Sequence, residues 1–249
     1  MLFLLADKNL SNVFLAMAFA TCITVLLALL FLKRDFVHTK DLAVWKELLF
    51  IIKFSFPVII TNLCLMAFNN NDLILVRRYF NPEDSGYYAG TVTLGKIMLF
   101  GASSVVTVMF PKISGLKSKN ENIKPMFWLF LKIQLALVAI GLFIFAVFPK
   151  LIALAFFGTK FLESVKYLPL FAVFVGLYIL LNFLILFLFA VDITSLFYIL
   201  FILVMTQTLL ISNFHASIFQ VITVNISIIS VALAAASLYA FRFLNKQTS

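Results

Sequence analysis

Long apolar runs, separated by short polar gaps, recur along the whole chain and constrain its fold more than any other feature. A helix needs about 20 mostly apolar residues to cross the hydrocarbon core of a membrane. No run shows the two-residue alternation that is typical of strands in a membrane barrel. We therefore predict an all-α, polytopic membrane protein with about seven transmembrane helices. The predicted spans are residues 13–32, 48–80, 87–110, 127–148, 167–191, 196–212 and 218–241.

The composition excludes several classes of protein. Hydrophobic residues make up 64% of the chain and charged residues 12%, whereas soluble domains average roughly 25% charged residues. This excludes a soluble enzyme, a disordered chain and a nucleic-acid binder. The two cysteines, Cys22 and Cys64, lie in separate apolar runs, so we interpret them as packing residues and not as a disulfide or metal pair.

The distribution of lysine and arginine predicts the orientation. The gaps on one side of the predicted spans, with the C-terminal tail, carry eleven basic residues, and the other side carries six. The positive-inside rule puts the first side, and the C-terminus, in the cytoplasm. We therefore predict a multi-pass protein of the cytoplasmic (inner) membrane. Seven spans would then leave Met1 outside without a basic signal-peptide region, so we expect the chain to be a fragment.

The second predicted span is unusually polar. Helical spacing places Ser55, Asn62, Asn69 and Asp72 on one stripe, and Pro57 can kink the helix. Ionisable groups at membrane depth are unfavourable and indicate a functional site by default. The stripe is expected to face a neighbouring helix or a watery cavity rather than lipid.

The third predicted span carries a lysine near its middle. Thr93, Lys96, Ser103 and Thr107 share one helical face. Three explanations are open for Lys96: it pairs with Asp72, its stem reaches an interface, or it forms a cationic cavity wall for an anionic substrate such as a diphosphate.

Other polar residues receive less specific predictions. Arg77 and Arg78 end the second span, where Glu83 and Asp84 are expected to screen them, and a substrate gate is the alternative. Single amides in later spans are interpreted as hydrogen-bonding links between helices. These amides are Gln134, Asn182, Gln207 and Asn225.

Catalytic and metal-binding patterns are absent from the sequence. His38 and His215 lie far apart on predicted opposite sides, and no glycine-rich phosphate loop precedes a helix. We therefore predict no enzymatic activity, no metal site and no cofactor.

Several short motifs carry a resemblance to a known family. They are Ser55-Phe56-Pro57, Asp72-Leu73-Ile74-Leu75, Asp84-Ser85-Gly86-Tyr87-Tyr88-Ala89-Gly90, Phe110-Pro111-Lys112-Ile113-Ser114 and Phe157-Gly158-Thr159-Lys160-Phe161. In this order and spacing, the chain resembles the polysaccharide and O-antigen flippases of the multidrug/oligosaccharidyl-lipid/polysaccharide exporter superfamily. The resemblance implies two six-helix lobes. It assigns residues 1–32 to the last helix of a missing first lobe, 33–47 to a cytoplasmic interfacial linker and 48–249 to the second lobe with a cytoplasmic tail. The residues of the linker favour a cytoplasmic helix that lies at the membrane interface, and a hydrated loop anchored by Trp45 is the alternative.

The resemblance also implies a function. It predicts a transporter that moves polyprenyl-diphosphate-linked oligosaccharide across the cytoplasmic membrane for polysaccharide biosynthesis, including lipopolysaccharide. Its expected partners are that lipid-linked substrate, the bilayer and a separate or missing first lobe, without nucleic acid. The candidate substrate and cavity residues are Lys96, Asp72, Asn69, Asn62, Arg77 and Arg78. Two alternatives stay open: a cation-coupled multidrug exporter with Asp72 as the ion site, and a truncated, non-transporting remnant.

Overall fold

The computed structural model describes residues 10–32 and 43–246, and these residues form helices joined by short turns. No strand occurs in either of the two described ranges. The elements are α1 (Leu10–Leu32), α2 (Ala43–Phe68), α3 (Asn71–Tyr79), α4 (Pro82–Ser118), α5 (Lys124–Val147), α6 (Pro149–Phe157), a 3₁₀ segment (Thr159–Lys166), α7 (Leu168–Ala190), α8 (Phe197–Asn213) and α9 (Ile218–Lys246).

The helices have the length and composition of a multi-pass membrane protein, which confirms the predicted fold class. Five described stretches are long and apolar enough to cross a membrane. They are Ser55–Tyr79, Pro82–Ser118, Lys124–Val147, Leu168–Ala190 and Ile218–Asn245. The first and sixth predicted spans correspond to shorter apolar stretches, Phe14–Leu30 and Phe197–Asn213.

The chain divides into two units, Met1–Phe50 and Ile51–Ser249. In the first unit, α1 is a single apolar helix, and α2 begins at Ala43. Residues 33–42, which hold most of the predicted interfacial linker, lie outside the described residues. The predicted domain boundaries therefore stay a prediction. Every contact below belongs to the second unit.

Helix α7 lies at the centre of the second unit, where it packs against α4, α5 and α9. Most of its side chains are buried. Its sequence explains this position, because a helix that is apolar on all sides loses nothing by being surrounded by other helices. Gly95 permits the close approach of α4 to α7, since a Cβ there would lie 2.6 Å from the Phe171 ring.

Prolines begin helices in this protein more often than they end them, which corrects two of the predicted boundaries. Helix α4 begins at Pro82, and the Asn81 side chain caps it by accepting a hydrogen bond from the Asp84 amide at 2.8 Å. Residues 81–86, which lie between two of the predicted spans, therefore form a helix start. Pro111 lies inside α4, which continues to Ser118. A proline removes one backbone bond, and packed membrane helices tolerate that loss.

Two of the motifs that carry the family resemblance pack against each other. A Cβ added to Gly90 on α4 would lie 2.8 Å from the Phe161 ring, which belongs to the motif at residues 157–161. Gly158 has a φ of 70°, a left-handed conformation that favours glycine. The Tyr87 and Phe161 rings also meet edge to face at 6.2 Å. These motif residues thus hold the start of α4 against the 3₁₀ segment.

Candidate functional site

The second predicted span is broken at the position of its asparagines. Helix α2 ends at Phe68 and α3 begins at Asn71, with Asn69 and Asn70 in a turn between them. The continuous helix over residues 48–80 predicted from the sequence is therefore wrong at this point. Because of the break, the predicted stripe does not continue unchanged from α2 into Asp72. Discontinuous helices at membrane depth are typical of binding sites in transporters.

The carbonyl groups at the end of α2 find hydrogen-bond donors, which makes the break compatible with a membrane interior. The Leu65 oxygen accepts from the Tyr178 hydroxyl at 3.0 Å. The Met66 oxygen accepts from the Asn70 side chain at 2.7 Å. The Ala67 oxygen accepts from the Asn70 amide at 3.1 Å, and the Phe68 oxygen accepts from Gln207 Nε2 at 3.4 Å.

Asp72, in the first turn of α3, is the centre of a buried hydrogen-bond network. Its side chain accepts from the Tyr88 hydroxyl of α4 at 2.5 Å and from Asn225 Nδ2 of α9 at 2.8 Å. Asn225 Oδ1 in turn accepts from Gln207 Nε2 of α8 at 2.8 Å. We call Asp72, Tyr88, Gln207 and Asn225 the Asp72 network. It joins α3, α4, α8 and α9, and none of its members is more than 1% exposed.

The donors around Asp72 are those that an ionised carboxylate requires. Tyr88, Asn225 and the backbone amide of Leu73, at 2.7 Å, all donate to its oxygens. An ionised carboxylate only accepts hydrogen bonds, so each contact satisfies it. The start of α3 adds the positive end of a helix dipole. Within the described residues, Gln207 Oε1 is the one atom of the network without a partner.

Lys96 does not form the direct ion pair with Asp72 that was one of its three explanations. No ion pair within 4.0 Å joins these two described residues. Lys96 Nζ instead donates to Asn70 Oδ1 at 3.1 Å, and its side chain is half-buried. The charge therefore lies beside the broken helix and keeps contact with the molecular surface.

Helix α4 presents the predicted polar face towards the surface of the second unit. Thr93, Ser103 and Thr107 are exposed, and Lys96 is half-buried among them. The three hydroxyls donate to carbonyls of their own helix, so they need no external acceptor. We call Thr93, Lys96, Ser103 and Thr107 the polar face of α4.

The remaining predicted site residues are not brought into one cluster. Asn62 is exposed and donates back to the Val58 oxygen at 2.9 Å, and Asn69 is half-buried in the turn. Arg77 and Arg78 are exposed in the last turn of α3.

The expected screening of these arginines by Glu83 and Asp84 does not occur through ion pairs among the described residues. Glu83 accepts from the Tyr87 hydroxyl at 3.0 Å, and Asp84 accepts from Asn81 Nδ2 at 2.9 Å. Both acids therefore have partners at the start of their own helix.

Sequence reasoning missed Tyr88 as a partner of Asp72. The two lie 16 positions apart on different helices, and a tyrosine inside an apolar helix is ordinarily a packing residue. The sequence did contain one indication of this contact. Asp72 and Tyr88 lie on either side of a short turn between α3 and α4, which brings them to neighbouring positions. Gln207 and Asn225 link helices, as predicted for single amides in the later spans.

A family described as "Polysaccharide biosynthesis protein" matches residues 8–166, which is more than half of the chain. The chain belongs to this family. The match confirms the resemblance to polysaccharide flippases and includes Asp72, Tyr88 and Lys96. No curated protein and no solved structure gives a significant match to the chain.

Proposed function

We propose that this protein is a flippase that moves a polyprenyl-diphosphate-linked oligosaccharide across the cytoplasmic membrane during polysaccharide biosynthesis. Its role is transport and not catalysis. Family membership and the set of membrane-spanning helices support the general role. The partners we propose are the lipid-linked oligosaccharide, the bilayer and a first lobe that faces the polar face of α4, and nucleic acid is not a partner.

The environment of Lys96 is the observation that carries the proposal. A lysine at the centre of a membrane helix costs about 2.5–3.5 kcal/mol on insertion scales. Lys96 lies 14 residues after the start of α4, which is about 21 Å along the helix. Its side chain donates a hydrogen bond to a neutral amide, Asn70, and no acidic group among the described residues forms an ion pair with it.

An anionic substrate would supply a direct counter-charge, since Asp72 acts on Lys96 only at a distance and forms no ion pair with it. A diphosphate that enters a membrane protein loses hydration and needs a cation to offset that loss. Lys96 remains half-exposed on a face of hydroxyl groups, so an incoming diphosphate can reach it without rearranging the buried core.

Two features bear on the multidrug-exporter alternative. Asp72, its candidate ion site, is 1% exposed and already accepts three hydrogen bonds. A coupling cation would have to displace Tyr88 or Asn225 to reach the carboxylate. The basic residues Lys96, Arg77 and Arg78 also favour an anionic substrate over a cationic drug.

We propose a cytoplasmic position for the end of the bundle where α7 and α9 finish. Lys117 near the end of α4 pairs with Asp192 after α7 at 2.7 Å, so these segments share one end. Tyr79 and His215 stack at 4.0 Å and mark the other end. The basic residues of the 112–124 region support the cytoplasmic assignment of the first end.

The role of Lys96 is tested by complementation in the native host. The gene that encodes the chain is deleted and restored with wild type, Lys96→Arg or Lys96→Gln, and surface polysaccharide is measured at matched membrane levels. We expect Lys96→Arg to retain export, because the charge remains, and Lys96→Gln to lose most of it. Lys132→Gln is the matched control, since Lys132 also lies within a span but is exposed on α5.

Full export by Lys96→Gln would contradict the proposal. Normal surface polysaccharide in the deletion strain itself would favour the non-transporting remnant. A deletion strain with normal polysaccharide and increased sensitivity to cationic drugs would favour the exporter.

A further inference from the structure

A cavity of about 440 Å³ lies between α4, α5 and α7, and no member of the Asp72 network lines it. Its polar lining consists of Ser103, Thr107, Gln134 and Asn182, and the rest of the lining is apolar. The first two belong to the polar face of α4 and are exposed. The cavity therefore opens from the same face that carries Lys96.

Gln134 is the unusual residue of this cavity. Its side chain is 0% exposed, and neither its amide nitrogen nor its amide oxygen has a hydrogen-bond partner within the described part of the chain. An unpaired buried polar group costs about 1–3 kcal/mol. A side chain that lines a cavity with both a donor and an acceptor unused is suited to a ligand that supplies both.

The other polar groups narrow the chemistry of that ligand. Ser103 donates to the Phe100 oxygen and Thr107 to the Ser103 oxygen, so their hydroxyl oxygens remain available as acceptors. Asn182 is half-buried and lies one helical turn from Tyr178 on α7. No charged side chain lines the cavity. A phosphate would therefore lack a counter-charge here, whereas a neutral group with adjacent hydroxyl or amide functions would be satisfied.

The position of the cavity relates it to Lys96. Ser103 and Thr107 lie 7 and 11 residues after Lys96 on α4, which is about 10 and 16 Å by helix rise. A diphosphate held by Lys96 would not extend this far, but sugars attached to it would.

We propose that this cavity is a subsite for a neutral sugar unit, in which Gln134 hydrogen-bonds a hydroxyl or acetamido group of the glycan. The inference rests on the proposed flippase function and deepens it, because it assigns the diphosphate and the glycan to different parts of one polar face. The apolar lining, including Phe110, contacts the carbon faces of the sugar ring.

The test measures sugar binding by the full chain in phosphatidylcholine nanodiscs. The probe is N,N′-diacetylchitobiose, a neutral sugar with hydroxyl and acetamido groups, and binding is followed by saturation-transfer difference NMR. We expect saturable binding by the wild type. Gln134→Leu and Ser103→Leu should each weaken it about tenfold, through lost hydrogen bonds and a filled cavity mouth. Ser104→Leu is the matched control, because Ser104 is exposed on α4 but does not line the cavity.

Two further measurements keep the test decisive. Gln134→Leu should unfold at the same temperature as the wild type or higher, because it removes an unpaired buried amide. N-acetylglucosamine 1-phosphate should bind more weakly than the neutral probe. Absence of saturable binding, equal binding by Gln134→Leu, or displacement of the sugar by farnesol would each overturn the proposal; the last outcome would assign the cavity to an isoprenoid chain. Lowered stability of Gln134→Leu without sugar binding would assign Gln134 to bound water and also overturn it.

The binding assay does not involve transport, so the two proposals fail separately. Export by Lys96→Gln with intact sugar binding would reject the anion role of Lys96 and leave the sugar subsite. Lost export by Lys96→Gln, together with no sugar binding by the wild type, would reject the sugar subsite and leave the anion role of Lys96.

Discussion

The Asp72 network and the polar face of α4 both place polar side chains within apolar helices, yet they differ in what those side chains contact. In the network, Gln207 is fully buried and its amide nitrogen donates to Asn225 and to the Phe68 carbonyl. Beside the polar face, Gln134 is equally buried and has no partner among the described residues. The same residue type thus links helices in one region and lines a cavity in the other. Polarity inside a membrane span does not identify a binding site until its partners are known.

The difference follows from how the helices meet. Around Asp72, helices α4, α8 and α9 converge on the break between α2 and α3, so the donors of Tyr88, Gln207 and Asn225 find acceptors on other elements. Along α4, Ser103 and Thr107 lie beside α5 and α7, and these helices leave an open volume between them. We therefore expect the first region to stabilise the fold and propose that the second contacts the substrate.

The largest expected effect on stability comes from removing the centre of the network. Asp72→Ala would strand the buried donors of Tyr88 and Asn225, and we expect a loss of about 2–4 kcal/mol in unfolding free energy. Reversible unfolding by SDS in mixed micelles, followed by far-UV circular dichroism, measures it.

Asp192→Ala is the control for this experiment, because Asp192 is an exposed acid whose pair with Lys117 is worth at most about 1 kcal/mol. Equal losses in the two variants would mean that the network does not stabilise the fold more than a surface contact does. The stabilising role given to the Asp72 network would then be wrong.

The fold was largely predictable from the sequence, because hydrophobic length alone determines where helices can cross a membrane. The seven apolar runs all became helices. The boundaries at Pro82 and Pro111 were not predictable in the same way. Whether a proline begins a helix or lies within it depends on capping by Asn81 in one case and on packing of the whole helix in the other.

The site was predictable only in part. Asp72 and Lys96 could be singled out, because a charge within an apolar run is visible in the sequence. Their partners could not be, because Tyr88 and Asn225 reach Asp72 only through the crossing of α3, α4 and α9. Spacing along one helix also failed once α2 ended at Phe68, since helical periodicity does not survive a turn.

Double-mutant cycles test the difference between the two regions through effects on unfolding free energy that are smaller than that of Asp72→Ala. Asp72 and Asn225 contact each other, so the losses caused by Asp72→Ala and Asn225→Ala should be non-additive by about 1–2 kcal/mol. Asp72 and Lys96 form no ion pair and interact only at a distance, so Asp72→Ala and Lys96→Met should be non-additive by less than the Asp72 and Asn225 pair. The same SDS titrations give both cycles. Strong coupling between Asp72 and Lys96 would contradict this prediction and support a direct ion pair between them.

The smallest expected effect on stability is that of Lys96→Met, and it tests most directly whether the polar face of α4 differs from the Asp72 network. Lys96→Met removes a half-buried charge whose partner is the neutral Asn70 amide, so little favourable energy is lost. The insertion cost of a central lysine is removed at the same time. We expect an unfolding free energy within about 0.5 kcal/mol of the wild type, or higher, while surface polysaccharide falls sharply in the restored host. Residues kept for function commonly cost stability, and this pairing of results is their signature. A loss of stability comparable to that of Asp72→Ala would instead place Lys96 in the structural network and remove the separation between the two regions.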